Sequence, residues 1–564
     1  MSSNNFDYLK DTVRTLDYPD ISMYTMLKNV SEMYPDYVAY DFMGKSVTFK
    51  GFMEEIETAA KALLAYGVKK GDAVTICLPN IPQAIILFYA LNRIGAVASM
   101  VHPLSAENEI LFFINESKST LAITLSQFYP KFESIKGKSQ LKNVIVAKIG
   151  EALPTVKGIL YKFIGKEPSV VNDPYVIAWG DFLKMARDYT QDITFEGKGA
   201  DDAAILFSGG TTGTSKGILL TNLNFNALAL QTAAAGDCLY PGGVMLSVMP
   251  VFHGFGLGVG IHTMLCEGVK CVLVPQLNIK QFPDLFKKHK PNFMAGVPTL
   301  FEAIMRNEEM QKVDFSSIKG FFSGGDTLSI ELKKKVDKFI QERGAKVQVR
   351  EGYGATECVA ASCLTPVSYY REGSIGVPFA DTIYKIVVPN TNEKTPDGVM
   401  GEICISGPTV MKEYINNPKE TAQTLRIHED GRVYLHTGDL GYMDKDGFIY
   451  FVQRLKRMIV TSGYNVYPSQ IENIIDSHEA VLYSTVIGVN DSYKMQRVKA
   501  FVVLKDGFSA SDEIRDSIKA HCEKSIAAYA MPKEFEFRGE LPKTLVGKIA
   551  YRELEKEEEE KFLV

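Results

Sequence analysis

The stretch Phe207-Ser-Gly-Gly-Thr-Thr-Gly-Thr-Ser-Lys-Gly217 concentrates glycines, hydroxyls and one lysine in a few residues. It lies between an apolar run, Ala203 to Phe207, that reads as a buried strand and a segment from about Asn222 that reads as a helix. Glycines let a backbone turn sharply and approach a ligand closely. Hydroxyls and main-chain N–H groups donate hydrogen bonds, and Lys216 adds a compact positive charge. Such a loop suits a polyphosphate, although a plain polar turn has the same composition. It is not the G-x-x-x-x-G-K-[ST] loop, because Lys216 does not directly follow a glycine in that frame.

Four further stretches carry comparable chemistry. Gly352-Tyr-Gly-Ala-Thr-Glu357 lies after a strand candidate, Lys346 to Val349, and Tyr434-Leu-His-Thr-Gly-Asp439 ends on an acid. Arg454-Leu-Lys-Arg-Met-Ile-Val-Thr-Ser-Gly-Tyr464 runs into Pro468-Ser-Gln-Ile-Glu472, and Leu541-Pro-Lys-Thr-Leu-Val-Gly-Lys548 lies near the end. In this order, and spread over most of the chain, the set resembles the adenylate-forming superfamily of acyl-CoA synthetases, firefly luciferase and peptide-synthetase adenylation domains.

The resemblance implies a role for each matching residue. The opening loop is similar to the family's phosphate loop, S-S-G-T-T-G-x-P-K-G, with Gly209 for the second serine and Ser215 for the proline. Ser208, Gly210, Thr211, Thr212, Gly213 and Lys216 then hold the phosphates of ATP. Glu357 and Thr212 coordinate Mg²⁺, a hard cation that takes oxygen ligands. Gly352, Tyr353 and Gly354 bind the nucleotide, with Tyr353 stacked on adenine and Thr356 bonded to the α-phosphate. Ser323-Gly-Gly-Asp326 resembles the segment against which adenine packs, which adds Gly324, Gly325 and Asp326. Asp439 holds the ribose hydroxyls, and Arg454 is a second ribose contact.

Lys548 matches the lysine that bridges the carboxylate and α-phosphate oxygens, a cation aimed at developing negative charge. Lys456 matches the hinge about which a C-terminal domain rotates, and Ser462, Gly463 and Tyr464 resemble part of a coenzyme A channel. Pro250-Val-Phe-His-Gly-Phe-Gly256 resembles the segment beside the acyl carboxylate. Phe252, His253, Gly254, Val297 and Gly324 then line the acid, with His253 as a gate. A buried histidine with structural bonds is the alternative for His253.

The implied chemistry is acid activation. A carboxylate is a poor acyl donor because its leaving group is oxide. Attack on the α-phosphorus of ATP gives an acyl-adenylate and pyrophosphate, and AMP is then a good leaving group for the thiol of CoA. The region Met249 to Ile261 is small, apolar and rich in glycine, which suits an aliphatic tail better than an amino acid. An insertion at 151–182 resembles a segment of bacterial long-chain fatty acid ligases. A medium- or long-chain fatty acid is the expected substrate. An aryl or bile-acid-like acid, a carrier-loading adenylation module and an inactive ATP-binding relative are the alternatives.

These residues need a scaffold, and the pattern predicts one. Helical spacing at Ile56, Ala59, Ala60, Leu63 and Leu64 ends at Gly67, placed as a C-terminal cap. Ala73 to Leu78, Ala96 to Val101 and Leu121 to Thr124 read as strands, Pro82 to Ile94 as a helix, and Ser105 as the cap of a helix through Asn115. Repeated β-α units predict a largely parallel sheet covered by helices. From about Ile383 short strands alternate with Asp-Gly turns at Asp397-Gly398, Asp430-Gly431 and Asp446-Gly447, which predicts hairpins in a smaller β subdomain. The fold class is therefore α/β. Residues 1–454 form a large N-terminal AMP-binding domain of two βα-layered subdomains and a small β subdomain, and 455–564 form a small mobile α+β domain. The tail Glu555 to Lys561 reads as a solvated helix end.

Composition sets outer limits. The chain has 564 residues, net charge −5, 46% hydrophobic and 23% charged residues. That excludes nucleic acid as the expected partner. The 8 cysteines are scattered with no Cys-x-x-Cys pair, which favours free thiols in a reducing compartment over a zinc site. The N-terminal stretch has no apolar signal core. Val244 to Cys266 lacks charge, but Pro250 and its glycines favour a strand, a tight loop and a short helix over a membrane span. In 151–182, Val156, Ile159, Leu160, Phe163 and Ile164 share a helical face interleaved with Lys157, Lys162 and Lys166. Such a helix covers a core or lies on a membrane surface. The expectation is a cytoplasmic protein, with peripheral membrane contact as the open alternative. Trp179 reads as a packing residue.

Overall fold

The computed structural model describes residues 12–154, 157, 173–208, 215–461, 464–491, 495–544 and 548–562. Among them, short apolar runs such as Ala73–Cys77, Leu121–Leu125 and Phe293–Gly296 form strands buried on both faces, the pattern of a parallel sheet covered by helices. A nine-stranded sheet has a parallel centre, Val349–Tyr353, Gly320–Ser323, Phe293–Gly296, Val244–Ser247, Lys270–Leu273 and Val38–Phe42, with antiparallel strands at its edges. An eight-stranded sheet is parallel from Asp202–Phe207 through Val97–Met100, Ala73–Cys77, Leu121–Leu125 and Asn143–Ala147 to Val176–Ala178. A five-stranded antiparallel sheet spans Ile383 to Arg454, and a mixed five-stranded sheet with helices Pro468–Asp476, Asp512–Glu523 and Tyr551–Phe562 follows it. This is the expected α/β architecture, with a large N-terminal part and a small C-terminal one.

Local signals place many elements. Gly67 closes the helix Phe49–Tyr66 in the left-handed region at φ +103°. Gly398, Gly431 and Gly447 turn the hairpins of the small sheet at φ +79°, +75° and +89°. Trp179 is buried with its ring centroid 5.6 Å from that of Phe182.

Other elements depend on partners far away in sequence. The Phe207–Gly217 loop does not lead from strand to helix. It joins two antiparallel strands, because Gly217–Thr221 pairs with Asp202–Phe207 before the helix Asn222–Gly236 begins. The strand expected at Lys346 to Val349 lies at Val349–Tyr353, since Gly352 and Tyr353 pair with Leu364 and Cys363. Ser105 is not a cap. Ala106 is, and the Glu109 carboxylate accepts its N–H at 2.9 Å from inside the helix Glu107–Ser117. In the last helix Glu558 is buried rather than solvated, 2.9 Å from the Lys499 ammonium. The amphipathic helix expected in 151–182 falls largely on residues outside those described. Lys157, which is described, donates to the Met43 carbonyl at 3.1 Å.

The uncharged run Val244 to Cys266 forms a strand, a tight turn and a helix, as Pro250 and its glycines imply. The helix, Phe255–Thr263, is a π-helix, a rare form that concentrates at functional sites. Only glycine fits at positions 254 and 256, where it begins. A Cβ on Gly254 would lie 1.6 Å from the Val359 carbonyl oxygen, and one on Gly256 would lie 2.1 Å from that of Pro250. His262 anchors the far end, with Nδ1 2.9 Å from the Tyr89 hydroxyl and Nε2 3.1 Å from Asn226 Oδ1. No helix among the described residues is long and apolar enough to cross a membrane.

Burial pulls the His262 pKa down to about 3 from its ordinary 6.5. Between those values the unfolded chain binds a proton that the folded chain does not. The stability carried by the neutral ring is complete above pH 6.5 and is lost as pH falls toward 3. His262→Gln should therefore flatten the fall of the urea midpoint between roughly pH 6.5 and 4. An unchanged slope would show that His262 does not couple folding to pH.

Candidate active site

The four sheets all contribute to one crevice of about 1150 Å³. Gly324-Gly325-Asp326 follows the strand Gly320–Ser323, Gly354 follows Val349–Tyr353, and Met249 to His253 follows Val244–Ser247. All three lie at carboxyl ends of parallel strands, where open α/β sheets bind ligands. The small sheet contributes Asp439 and Arg454, and the C-terminal part contributes Lys548. The backbones pack closely here. A Cβ on Gly354 would lie 1.8 Å from the Ala360 carbonyl oxygen, and one on Gly324 would lie 3.4 Å from that of Gly352.

One corner is built around a buried carboxylate. Strand register sets Asp439 opposite Arg454. Asp439 Oδ2 accepts the Tyr353 hydroxyl at 2.6 Å, and Oδ1 faces Arg454 Nε at 3.5 Å without a hydrogen bond. Burial raises the pKa of Asp439, and Arg454 opposes that shift. An unsatisfied buried acceptor costs roughly 1–3 kcal/mol, which a ligand hydroxyl would recover. Tyr353 is thus tied down by its hydroxyl, with its ring tilted 31° to Phe451 at 5.8 Å.

A second corner is cationic and acidic. Lys216 forms an ion pair with Glu420 and stands 4.9 Å over the Tyr414 ring. Its N–H donates to Ser208 Oγ at 3.2 Å. Glu357, in the turn Thr356–Cys358, accepts the Tyr414 hydroxyl at 2.7 Å on Oε1 and lines the crevice. A carboxylate held on one oxygen and lining the crevice fits a hard cation such as Mg²⁺. Gly210, Thr211, Thr212 and Gly213 lie outside the described residues, so Thr212 is not placed.

A third branch is apolar, lined by Leu239, Phe255, Val259, Met264 and Phe322. Phe252 and His253 line the same crevice, and the Phe252 ring lies 4.0 Å from that of His102. Burial pushes the His253 pKa down to about 4, and the Lys548 charge adds to this, so the ring is neutral near pH 7. Its Nδ1 accepts the Phe255 N–H at 3.2 Å. Val297 is buried against Gly325, with Cγ1 3.4 Å from where a Cβ on that glycine would sit. Asp326 bonds the N–H of Thr327 at 2.9 Å and stays exposed at the rim.

Lys548 reaches this junction from the C-terminal part. Burial lowers its pKa, Asp326 opposes the shift and Arg454 adds to it. Its Cε lies 4.0 Å from the Cβ position of Gly325. Lys456 lines the same crevice. Arg457 beside it is anchored instead in the C-terminal part, paired with Glu472 and bonded to Thr485 Oγ1 at 2.9 Å. Tyr464 opens the strand Tyr464–Val466, while Ser462 and Gly463 lie outside the described residues.

Three positioning residues carry no motif. Asn80 donates to the Ser247 and Met249 carbonyls at 3.1 and 2.8 Å and accepts from the Val251 N–H at 2.9 Å, which holds the turn before His253. Glu420 and Tyr414 hold Lys216 and Glu357. Nothing local in their sequence distinguishes them, because each acts on a group far along the chain.

Comparison with known proteins decides the family. The family model "AMP-binding enzyme" matches residues 27–415, and "AMP-binding enzyme C-terminal domain" matches 470–548. The chain belongs to the AMP-binding enzymes. A long-chain-fatty-acid–CoA ligase of Bacillus subtilis (strain 168) is 35% identical over 562 residues, 98% of each chain. Its counterpart in Salmonella typhimurium is 33% identical over 95% of this chain and 94% of its own. The crystal structure of an anthranilate CoA ligase with anthranoyl-AMP has a TM-score of 0.83 at 23% identity, over 97% of this chain and 99% of that one, a likeness of fold.

In an AMP-binding enzyme with this corner, Asp439→Asn removes a charged acceptor while leaving an oxygen for Tyr353. ATP should bind about 10–100-fold more weakly, from roughly 1.5–3 kcal/mol per charged hydrogen bond. Calorimetric titration with ATP reads this directly, and a loss below about twofold would remove Asp439 from the ribose contact.

Proposed function

We propose that this AMP-binding enzyme is an ATP-dependent acyl-CoA ligase for a medium- or long-chain fatty acid. The observation that carries the reading is a single crevice in which a ribose-type corner, a lysine from the C-terminal part and an apolar branch meet. The names of the bacterial relatives support the long-chain end. In this reading a carboxylate oxygen attacks the α-phosphorus of ATP and the bond to pyrophosphate breaks. The CoA thiol then attacks the acyl carbon, loses its proton and expels AMP.

The residues divide the work by chemistry. Tyr353, Asp439 and Arg454 orient the nucleoside, and Gly324 and Gly325 let adenine lie close. Lys216, Ser208 and Thr356 hold phosphate oxygens once Glu420 is displaced. Glu357 would hold Mg²⁺, which when bound offsets phosphate charge. Lys548 stabilises charge developing on the α-phosphate and carboxylate oxygens. His253, neutral beside Lys548, closes the apolar branch without adding a competing charge. We read residues 1–454 as the N-terminal domain and 455–564 as the C-terminal one, with Lys456 at the hinge. The C-terminal core that begins at Ile459 supports that boundary.

A pyrophosphate-exchange panel of hexanoate, palmitate, oleate, benzoate and cholate tests the substrate, with palmitate and oleate expected to lead. A lead by benzoate or cholate would overturn the fatty acid. In Lys548→Ala exchange should fall by about 10²–10³-fold while thioester formation from supplied acyl-AMP persists. Equal loss of both steps would count against its role. Adenylate formation without consumption of free CoA would instead favour carrier loading.

Peripheral membrane contact through 151–182 belongs to the same proposal. Reversing the charge of Lys157, Lys162 and Lys166 should reduce binding to anionic vesicles, and unchanged binding would remove it.

A further inference from the structure

Cys404, His428 and His436 meet on one face of the small sheet, beside the crevice that His436 and Glu402 also line, and none of the three has a role in the reading above. Cys404, in the strand Gly401–Ser406, is the cross-strand partner of His436 in Val433–Met443. His428 follows Leu425–Ile427, the strand paired to the other side of Val433–Met443, and its N–H and carbonyl close the turn through Arg432 and Gly431. All three side chains are buried. One ligand atom from each lies within 4.8 Å of the others, and the two Nε2 atoms are 3.0 Å apart. Two nitrogens on a tetrahedral zinc lie roughly 3.3 Å apart, given Zn–N of about 2.0–2.1 Å. A small ring adjustment separates the two arrangements.

Two observations set the cluster apart from an ordinary histidine pair. First, His436 Nδ1 lies 3.0 Å from Glu402 Oε2. A carboxylate accepts only from N–H, so the proton sits on Nδ1 and the Nε2 lone pair points at His428. This is the carboxylate–histidine arrangement that orients a metal ligand. Second, His428 Nδ1 is buried with no hydrogen-bond partner. When a cation takes the His428 Nε2 lone pair, the proton now given to His436 moves to Nδ1, a ring atom that no protein group claims. Buried polar atoms are rarely left so. The thiol of Cys404 supplies the soft third donor. The surrounding charges are mixed: Lys385 and Arg426 are cationic, Glu402 and Asp430 anionic.

We propose that Cys404, His428 and His436 form a site for a borderline-soft divalent cation of the zinc class, with Glu402 orienting His436. Cys404 gives up its proton on binding, and a water completes four-coordination. The other oxygen of Glu402 accepts the Gly438 N–H at 3.1 Å, and Gly438 precedes Asp439. Occupancy thus braces the stretch of strand that presents the ribose-side carboxylate.

The full-length reduced protein, stripped by chelator, is titrated with Co²⁺ and then Zn²⁺. About one equivalent of Co²⁺ should bind, with tetrahedral d–d bands and a thiolate-to-cobalt charge-transfer band that Zn²⁺ bleaches. The charge-transfer band should vanish in Cys404→Ser, and His428→Gln and His436→Gln should weaken binding at least about tenfold. Circular dichroism checks that each variant is folded. X-ray absorption at the zinc edge of the wild type serves if one is not, and one sulfur with two imidazoles is expected. Absence of the charge-transfer band, its persistence in folded Cys404→Ser, or a zinc shell without sulfur would overturn the site.

Discussion

Tyr353 and Asp439 come from different sheets, and the 2.6 Å hydrogen bond between them fixes where those sheets meet. Tyr353 ends a central strand of the nine-stranded sheet, and Asp439 lies in the longest strand of the small antiparallel one. Burying a carboxylate is expensive unless it is paired and bonded. Arg454 and the Tyr353 hydroxyl meet that need only in part, and one oxygen remains for a ligand. The junction is therefore both a structural seam and the most specific polar feature of the crevice.

The remaining parts of the crevice are held to this seam by groups that touch no substrate. Asn80, from the eight-stranded sheet's side of the molecule, bonds three backbone groups of the turn that carries Phe252 and His253. Arg350, one strand position from Glu351, caps the last carbonyls of the helix Asn222–Gly236 by donating to Ala235 and Gly236 at 2.6 Å each. Favourable contacts between cations and terminal helix carbonyls are a general device. Here they fix one wall of the apolar branch against the strand that ends in Tyr353.

Much of this was legible in residues whose chemistry is local. The Asp-Gly turns, the cap at Gly67 and the apolar strands declare themselves within a few positions. The ordered motifs around Lys216, Glu357, Asp439 and Lys548 point to one nucleotide site, and these residues do line one crevice. What could not be read involves distance along the chain. The strand Gly217–Thr221 exists because Asp202–Phe207 and Glu413–Tyr414 flank it, and Glu420 reaches Lys216 across some two hundred positions. The cysteines showed no metal-ligand spacing because Cys404, His428 and His436 are neighbours across strands, not along one.

The close backbone approaches at Gly254, Gly256 and Gly354 also bear on how such an enzyme can diversify. Where a Cβ would fall within about 2 Å of a carbonyl oxygen, only hydrogen is tolerated whatever acid is bound. Leu239, Val259 and Met264 line the crevice with side chains alone, and exchanges that conserve their volume come at modest cost. The floor of the crevice is thus barred to mutation by its own main chain, while its wall is free to drift. Descendants of this chain could change the length or shape of the acid they accept without disturbing the nucleotide beside it.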